Sequence, residues 1–530
     1  MKVSTAAEMQ SIDRRAIQGM GIPGIDLMER AGRAVARVVG ERMGSIAGRR
    51  VVAVCGRGNN GGDGFVAARI LKERGADASV ILIADVGSLT ADASVNHRRA
   101  LSVHVPVIRA LTAEALEAET GRIAAVDVVI DAVLGTGISG EVRGVAREAI
   151  ELMNRAARHV VAVDGPSGLD ADTGQVLGSC VRAEATVTFG LPKRGHFLMP
   201  GRENVGRLAV DGIGFPAIAI EEEGIQVECS EGGGLGRLLP VRALDAHKWT
   251  CGHLVLVAGS TGMTGAAALA SEAALRTGAG LTTLCVPERL NPILEIKLTE
   301  TMTRPVPDTP QGTLARGAEA AILEMVESAS AVVVGPGLSR VEETSDLVRT
   351  LVSKIGKPLV VDADGLNAFA GGKPFRHAGT LPIVTPHLGE LVRLTGASKD
   401  EILADRIEGV RRHAKALDAV LLLKGFPTLV ADPSGRVSIN RTGSNALATA
   451  GSGDVLTGAI GGLLAQGLEP YDAARLGAWI HGAAGDRAAK TLGPRSVIAG
   501  DVLDSLPQAI RDVESAAAEE DETDPLVWLF

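Results

Sequence analysis

Asp454 lies in the run TGSNALATAGSGDVLTGAIGGLLAQG (442–467), directly after Gly451, Ser452 and Gly453 and at the head of a long apolar helical pattern. Small residues at a helix start leave backbone N–H groups open to an anion, where they stabilise charge developing on a transferring phosphoryl group. A carboxylate fixed there can take the proton of an attacking hydroxyl. Alone, Asp454 also fits a plain role, that of an acidic residue in a first helical turn; the AT-x-GSGD context favours chemistry. No Gly-Lys-Ser/Thr tripeptide occurs, so a Walker P-loop is excluded.

A second constellation opens the chain. The apolar run VVAVCG (51–56) leads into GRGNNGGDG (56–64) and then into a helical pattern. Its glycines permit close approach of backbone N–H groups to an anion, and the helix start adds a favourable dipole. Asn59, Asn60 and Asp63 are costly in a turn that needs only flexibility. Two later runs also end in polar clusters: VVIDAVLGTGISGE (128–141) supplies Asp131, and VVAVDGPSGLD (160–170) supplies Asp164 and Ser167. If these runs are parallel strands, their C-terminal ends share one edge, where ligands bind. Asn60, Asp131 and Ser167 then suit oxygen donors around a hard cation, and Asp164 suits an acid/base. The plainer alternative makes each a local cap or Asx-turn.

Two series of elements must position these residues. Runs 51–56, 79–85, 126–133, 159–164 and 185–190 are continuously apolar and alternate with helical patterns such as 65–76 and 144–157. Continuous Val/Ile runs suit parallel strands covered on both faces, and strand–helix alternation implies a doubly wound sheet. A second series follows at 253–260, 281–287, 331–337, 358–365, 382–386 and 419–425. The glycine-rich acidic stretch near 220–240 separates them. The expected division is a first domain over 1–222, a linker over 223–238, a second domain over 239–512 and an acidic mobile tail over 513–530.

Composition narrows the partners. The 530 residues carry 54 Lys plus Arg against 63 Asp plus Glu, a net charge of -9. With no polybasic stripe and only eight Phe, three Trp and one Tyr, a nucleic-acid binder is disfavoured. Five scattered cysteines have no C-x-x-C spacing, which argues against zinc knuckles and disulfides and for a reducing cytoplasm. No apolar stretch reaches about 18 residues, so no membrane span is expected.

The motifs NNGGDG, GTG-x-x-GE and VDGPSG resemble those of the NAD(P)H-hydrate epimerase domain over roughly residues 1–215. That resemblance implies a Rossmann-like sheet binding a hydrated nicotinamide dinucleotide. It carries Asn59, Asn60, Gly61, Gly62, Asp63, Gly135, Thr136, Gly137, Ile138, Ser139, Gly140, Glu141 and Asp164 as substrate contacts. It carries Asn60, Asp131 and Ser167 as potassium ligands. The second half resembles the ribokinase-like superfamily, in its NAD(P)H-hydrate dehydratase branch, over roughly residues 240–510. The matching pieces are GSTGMTGAA (259–267), RTGAGL (276–281), GPGL (335–338), DADGLN (362–367), TPHLGE (385–390) and LLKGFPT (422–428).

This second resemblance implies an αβα sandwich in which Ala266, Gly337, His387 and Asp454 face the substrate. Lys424, Gly425, Phe426, Pro427 and Thr428 would hold the nucleotide, with Asn445, Ala446, Leu447, Ala448, Thr449, Ala450, Gly451, Ser452 and Gly453. Asp362 and Asp364 stay open between strand-end turns and contacts to a metal-bound water. The implied whole is a cytoplasmic homo-oligomer that epimerises NADHX and NADPHX and dehydrates the S form with ADP, using K+ in the first domain and Mg2+ in the second. The alternative is a ribokinase-like small-molecule kinase with a non-catalytic Rossmann-like binding module.

Overall fold

The computed structural model describes residues 1–518 and 526–530. It forms two compact α/β units: Met1–Ile225 together with 526–530, and the chain from Gln226 onward. The acidic stretch 519–525, the middle of the expected tail, lies outside the described residues.

The first unit is built on an eight-stranded sheet. Its strands are β1 (Arg50–Cys55), β2 (Asp77–Leu82), β3 (Val107–Arg109), β4 (Val128–Ala132), β5 (Val160–Val163), β6 (Ala185–Phe189), β7 (Arg207–Asp211) and β18 (Leu526–Trp528). Their order is β18-β7-β6-β5-β4-β1-β2-β3, all parallel except β18. Successive residues of β1 divide between two apolar layers. Val51, Ala53 and Cys55 join the helices Gly24–Met43 and Asn59–Glu73 on one face. Val52 and Val54 join the helix Gly144–Ala156 on the other. The side-chain alternation of a strand thus feeds two cores at once, which is why its sequence reads as unbroken apolar residues.

The second unit holds a ten-stranded sheet. Its strands are β8 (Val227–Cys229), β9 (His253–Val257), β10 (Leu281–Pro287), β11 (Met302–Val306), β12 (Ala331–Val334), β13 (Leu359–Val361), β14 (Ile383–Val384), β15 (Val420–Leu423), β16 (Thr428–Ala431) and β17 (Val437–Asn440). The order is β11-β10-β9-β12-β13-β14-β15-β16-β17-β8, with β16 antiparallel to both neighbours. The helices Thr264–Arg276, Ser452–Ala465, Pro470–Leu492 and Ala499–Ala518 build one of its cores.

The stretch expected as a linker, 223–238, is structured from Val227 onward. β8 pairs in parallel with β17, and Arg475 binds Glu228. The helix Gly232–Gly236 places Gly236 so close to Val513 O that an added Cβ would lie 2.2 Å from it. Nor is the whole of 513–530 a free tail. The helix Ala499–Ala518 takes in its first residues, and its last five form the edge of the first unit. There Leu529 N–H donates to Leu208 O (2.8 Å) and Leu208 N–H to Phe530 O (3.0 Å). Arg202 lies 3.5 Å from the centre of the Phe530 ring and Arg207 lies 4.1 Å from that of Trp528. Among the described residues no helix is long and apolar enough to cross a membrane.

Deleting 526–530 therefore removes two cation–π contacts and an aromatic pair, each worth about 1 kcal/mol, and reopens the β7 edge. After the ordering entropy is returned, the expected loss is about 2 kcal/mol. Calorimetry should show the first unit melting roughly 4–8 °C lower. An unchanged melting profile would show that the strand contributes nothing to the unit's stability.

Candidate active sites

In the first sheet the chain leaves β1 towards β2 and β3, then returns to β4 on the opposite side of β1. Such a reversal opens a crevice beyond the strand ends. Here it is a cavity of 640 Å³, lined by Gly56–Asn60, Val133–Ile138, Asp63 and Asp164 among others. The backbone approach is tight: a Cβ on Gly61 would lie 2.1 Å from Gly56 O. Only glycine lets the helix Asn59–Glu73 start this close to β1 and present its free N–H groups to the crevice. A smaller cavity of 230 Å³ adjoins it, with apolar walls that include Met9, Ile17, Leu27, Met28, Phe189 and Phe215. Asn59, Asp63, Thr136 and Asp164 line both cavities and so form the waist between them.

Asp164 ends β5 with a positive φ of 63°. Lys193 Nζ donates to its Oδ1 at 2.5 Å, and Thr188 Oγ1 donates to the same atom at 2.9 Å. Lys193 is 1% exposed. Burial alone would raise the Asp164 pKa, but the charge and hydrogen bonds of Lys193, with smaller help from His196 and Thr188, outweigh it and hold the group below the ordinary carboxylate value. Asp63 goes the other way. Burial, the Asp164 charge and Asp13 push it well above the usual range.

Asp131 is fully buried beneath this loop. It accepts from Ser167 Oγ (2.6 Å) and Ser167 N–H (2.8 Å), while Asn60 Nδ2 donates to Leu134 O (3.0 Å). Ser167 Oγ also bonds the Leu134 amide, at 2.9 Å. The three proposed cation ligands thus converge on one turn. Burial lifts Asp131 to about 6, and among the described residues no basic side chain pairs with it.

The other expected contacts divide. Gly135, Thr136, Gly137 and Ile138 line the larger cavity. Ser139, Gly140 and Glu141 are exposed and line neither cavity; Glu141 pairs with Arg143. Gly61 and Gly62 are buried in the first helical turn. Lys193 was not among the residues expected from the sequence. The one available signal was a lysine set in the apolar run after β6.

The second sheet reverses between β9 and β12, and its site gathers there. Gly259 N–H donates to Pro336 O (2.8 Å) and Ser260 Oγ to Gly337 O (2.8 Å), joining the loops after the two strands. A Cβ on Gly337 would lie 3.2 Å from Ala266 Cβ, so these two expected substrate contacts are neighbours. Asp364 accepts from Ser339 N–H (2.9 Å) and Asn367 Nδ2 (3.1 Å) and holds the same loop. His387 caps the helix Leu388–Thr395. Its Nδ1 accepts from Gly389 N–H (3.0 Å), and its Nε2 lies 3.5 Å from Glu390 Oε1. A bridge between His387 and Lys424 ties this cap to the end of β15.

Lys424 Nζ donates to Asp362 Oδ1 at 2.7 Å, and Thr457 Oγ1 donates to Asp362 Oδ2 at 2.6 Å. Asp362 is 1% exposed. Burial lowers the Lys424 pKa, but Asp362, Glu390 and Asp454 more than reverse that. Gly451 adopts the left-handed conformation (φ 88°) as N-cap of the helix Ser452–Ala465. An added Cβ there would meet Leu269 and Ala499 at 2.8 and 2.9 Å. Asp454 follows in the first turn. Burial, then the charges of Asp362 and Asp364, push it up to about 6 against the pull of Lys424.

Behind it Ser452 Oγ meets the buried His481 Nε2 at 3.1 Å. Arg406 holds the Gly425–Thr428 turn through Phe426 O (2.8 Å) and Pro427 O (2.9 Å). In the Asn445–Gly453 run, Ala446 and Leu447 turn into the core, so that pair offers only backbone groups. Asp362, left open by the sequence, is the hub of this site.

A switch-point crevice beside a polar cluster in one unit, and strand ends gathered beside a glycine-capped helix start in the other, define a two-site α/β enzyme. Residues 24–195 match the family model of the YjeF-related protein N-terminus, and residues 254–508 match that of NAD(P)H-hydrate dehydratase. The chain is 44% identical to the bifunctional NAD(P)H-hydrate repair enzyme Nnr of Moorella thermoacetica, over 97% of each chain. It is 40% identical to that of Thermofilum pendens over 96% of each. Against that of Escherichia coli it is 34% identical over 95% of this chain and 93% of the relative. Among solved structures, the ADP/ATP-dependent NAD(P)H-hydrate dehydratase of Bacillus subtilis is 29% identical, with TM-score 0.48, over 55% of this chain and 100% of that one. The chain belongs to the bifunctional NAD(P)H-hydrate repair enzyme family.

Breaking a buried ion pair from one side strands the other charge. Asp362→Asn should cost the second unit about 3 kcal/mol, the low end of that penalty, because Lys424 is 21% exposed. Asp362→Asn with Lys424→Met should recover part of it. Denaturant titration of both variants measures this; equal stability of the single and double variants would mean that Lys424 does not depend on Asp362.

Proposed function

We propose that the first domain interconverts the R and S hydrates of NADH and NADPH, and that the second phosphorylates the C6 hydroxyl of the S hydrate with ADP as donor. Phosphate then leaves, regenerating the reduced nicotinamide. The chemical reason for phosphorylation is that hydroxide is a poor leaving group and phosphate a good one. The observation that carries the reading is Asp454, a carboxylate with its pKa lifted to about 6, in the first turn of the glycine-capped helix Ser452–Ala465. It takes the C6 hydroxyl proton as the backbone N–H groups of Gly451 to Gly453 receive charge on the phosphoryl oxygens. Lys424, within reach of Gly453, adds a positive charge beside the same phosphate.

Asp362, Asp364 and Asp454 outnumber Lys424 here, a charge balance that suits Mg2+ arriving on nucleotide phosphates. Among the described residues no trio of acidic, His or Cys side chains forms a closed metal cage. That fits an ion that keeps its waters, held by Asp362 and Asp364 through them. When bound, it neutralises phosphate charge.

In the first domain the fully buried Asp131 has no basic partner, and Asn60 and Ser167 add neutral oxygens to it. One negative charge among neutral donors suits a large, weakly hydrated cation such as K+. Its charge would steady the anionic substrate above it. The crevice with the helix start suits the dinucleotide phosphates, and the apolar cavity suits the reduced nicotinamide ring. Asp164, kept ionised by Lys193, is the base at the waist. The alternative of a non-catalytic binding module leaves this buried lysine–aspartate pair without a role.

Two substitutions separate the activities. Asp454→Asn should slow dehydration of S-NADHX on the order of 10²–10⁴-fold, with calorimetric ADP affinity near wild type. The wild-type rate should rise with pH through about 6 as Asp454 ionises, and the variant should lack that limb. A variant at near wild-type rate would remove Asp454 from the mechanism. Asp164→Asn should leave dehydration of pure S-NADHX intact and slow consumption of R-NADHX by a similar factor. Equal loss of both activities would make Asp164 structural.

A further inference from the structure

We propose that Asp63 is the proton donor of the first domain's reaction, working with Asp164 as an acid/base pair across the C6 centre of the hydrate. This rests on the epimerase reading above and adds a second catalytic group to it.

Asp63 stands apart from the other buried carboxylates of its domain. Asp131 is satisfied by Ser167, and Asp164 by Lys193 and Thr188. Asp63 is only 8% exposed, yet its side chain makes no hydrogen bond or ion pair with any described residue. Its oxygens are not sealed in the core and are left to the cavities that the residue lines. Its side chain lines both cavities at their waist, as Asp164 does. The two reach that waist from different elements: Asp63 from the fifth residue of the helix after β1, Asp164 from the end of β5.

The surroundings settle which of the two carries the proton. Facing Asp63 are Asp13 from the helix Ala6–Arg14, Asp92 from the helix Ala91–Ser102, and Asp164 with Lys193 across the waist, with Cys55 beneath. Three of these are acidic, and the one ammonium is committed to Asp164. Burial and the neighbouring carboxylates push the Asp63 pKa up. Two carboxyl groups driven in opposite directions are the mark of an acid and a base.

The step balances. Asp63 gives its proton to the C6 hydroxyl as the C6–O bond breaks, and the oxygen leaves as water. The lone pair of ring N1 closes a C6=N1 iminium. A water adds to C6 from the opposite face, and its surplus proton goes to Asp164. The hydrate is restored with inverted configuration, and one proton has moved from Asp63 to Asp164. No oxidant or reductant is consumed. The reverse passage, with Asp164 as acid and Asp63 as base, returns the proton. Exchange through water does the same, downhill, because Asp63 holds a proton more tightly than Asp164.

The test uses the full-length protein, pure R-NADHX without ADP, and chiral chromatography of the two hydrates in H₂¹⁸O. The expected result for Asp63→Asn is a kcat lower by about 10²–10⁴-fold, with KM and melting temperature near wild type. Wild-type kcat should fall at high pH, as Asp63 loses its proton, and at low pH, as Asp164 gains one. Asp63→Asn should lack the high-pH limb, and Asp63→Glu should keep it with partial activity. One ¹⁸O should enter per inversion. A change in KM alone would reduce Asp63 to a binding contact, and inversion without ¹⁸O would mean that C6–O is never broken; either overturns the proposal. If Asp63→Asn does not fold, an Asp63→Glu variant with an unshifted high-pH limb overturns it instead. Wild-type protein that dehydrates S-NADHX but never interconverts the hydrates would instead sink the epimerase reading.

Discussion

In each domain a largely buried lysine is bound to an aspartate at the C-terminal end of a parallel strand, and the rest of the site depends on that pair. Lys193 holds Asp164 after β5, and Lys424 holds Asp362 after β13. In each case a second aspartate, Asp63 or Asp454, sits near the start of the helix that follows a glycine-rich loop, and its pKa is raised. Lys193 holds Asp164 ionised, and the charges of Asp164 and Asp362, added to burial, raise the pKa of Asp63 and Asp454. Each site thus carries one carboxylate fixed by a lysine and one whose proton affinity has been moved up.

Parallel topology explains why the same solution arises twice. Every strand ends at one edge, so residues far apart in sequence meet without any special loop. The order of the strands reverses between β1 and β4, and between β9 and β12; at the first reversal a crevice stands open beyond the strand ends. Glycine then sets how near the backbone comes. Gly61 admits the Gly56 carbonyl, and Gly451 turns the chain so that N–H groups and Asp454 face the same space. The two sites differ mainly in what fills that space. Asn60, Asp131 and Ser167 form a small oxygen cluster under one loop, whereas Lys424, Arg406 and the turn Gly425–Thr428 prepare the other for a nucleotide.

The central strands were legible because burial on both faces writes itself as runs of apolar residues; β5 and β12 are apolar throughout, and β4 is broken only by Asp131. The edges were not. β8 has three residues, and its pairing with β17 spans more than two hundred positions. β18 has three as well, placed after an acidic run, and its partners, the β7 backbone, Phe197 and the arginines at 202 and 207, lie far back in the sequence. Within the sites, motif residues such as Asn60, Gly337 and Asp454 stood out because their types are costly anywhere else. Lys193 and the role of Asp362 did not, because their meaning lies in partners 29 and 62 residues away. Local sequence cannot display a charge pair of that range.

The end of the chain bears on where the domains divide. A cut in the glycine-rich stretch 223–238 looks harmless when that stretch is taken for a linker. It is not: a cut after β8 removes the strand that covers the β17 edge, and any cut there parts β7 from the covalent attachment of β18. A fragment ending near Ile225 keeps every residue of the first site but loses its edge strand and the rings of Trp528 and Phe530. The first unit is thus built from both ends of the chain. Completing its sheet requires the last five residues, which emerge only after the whole second domain has been made.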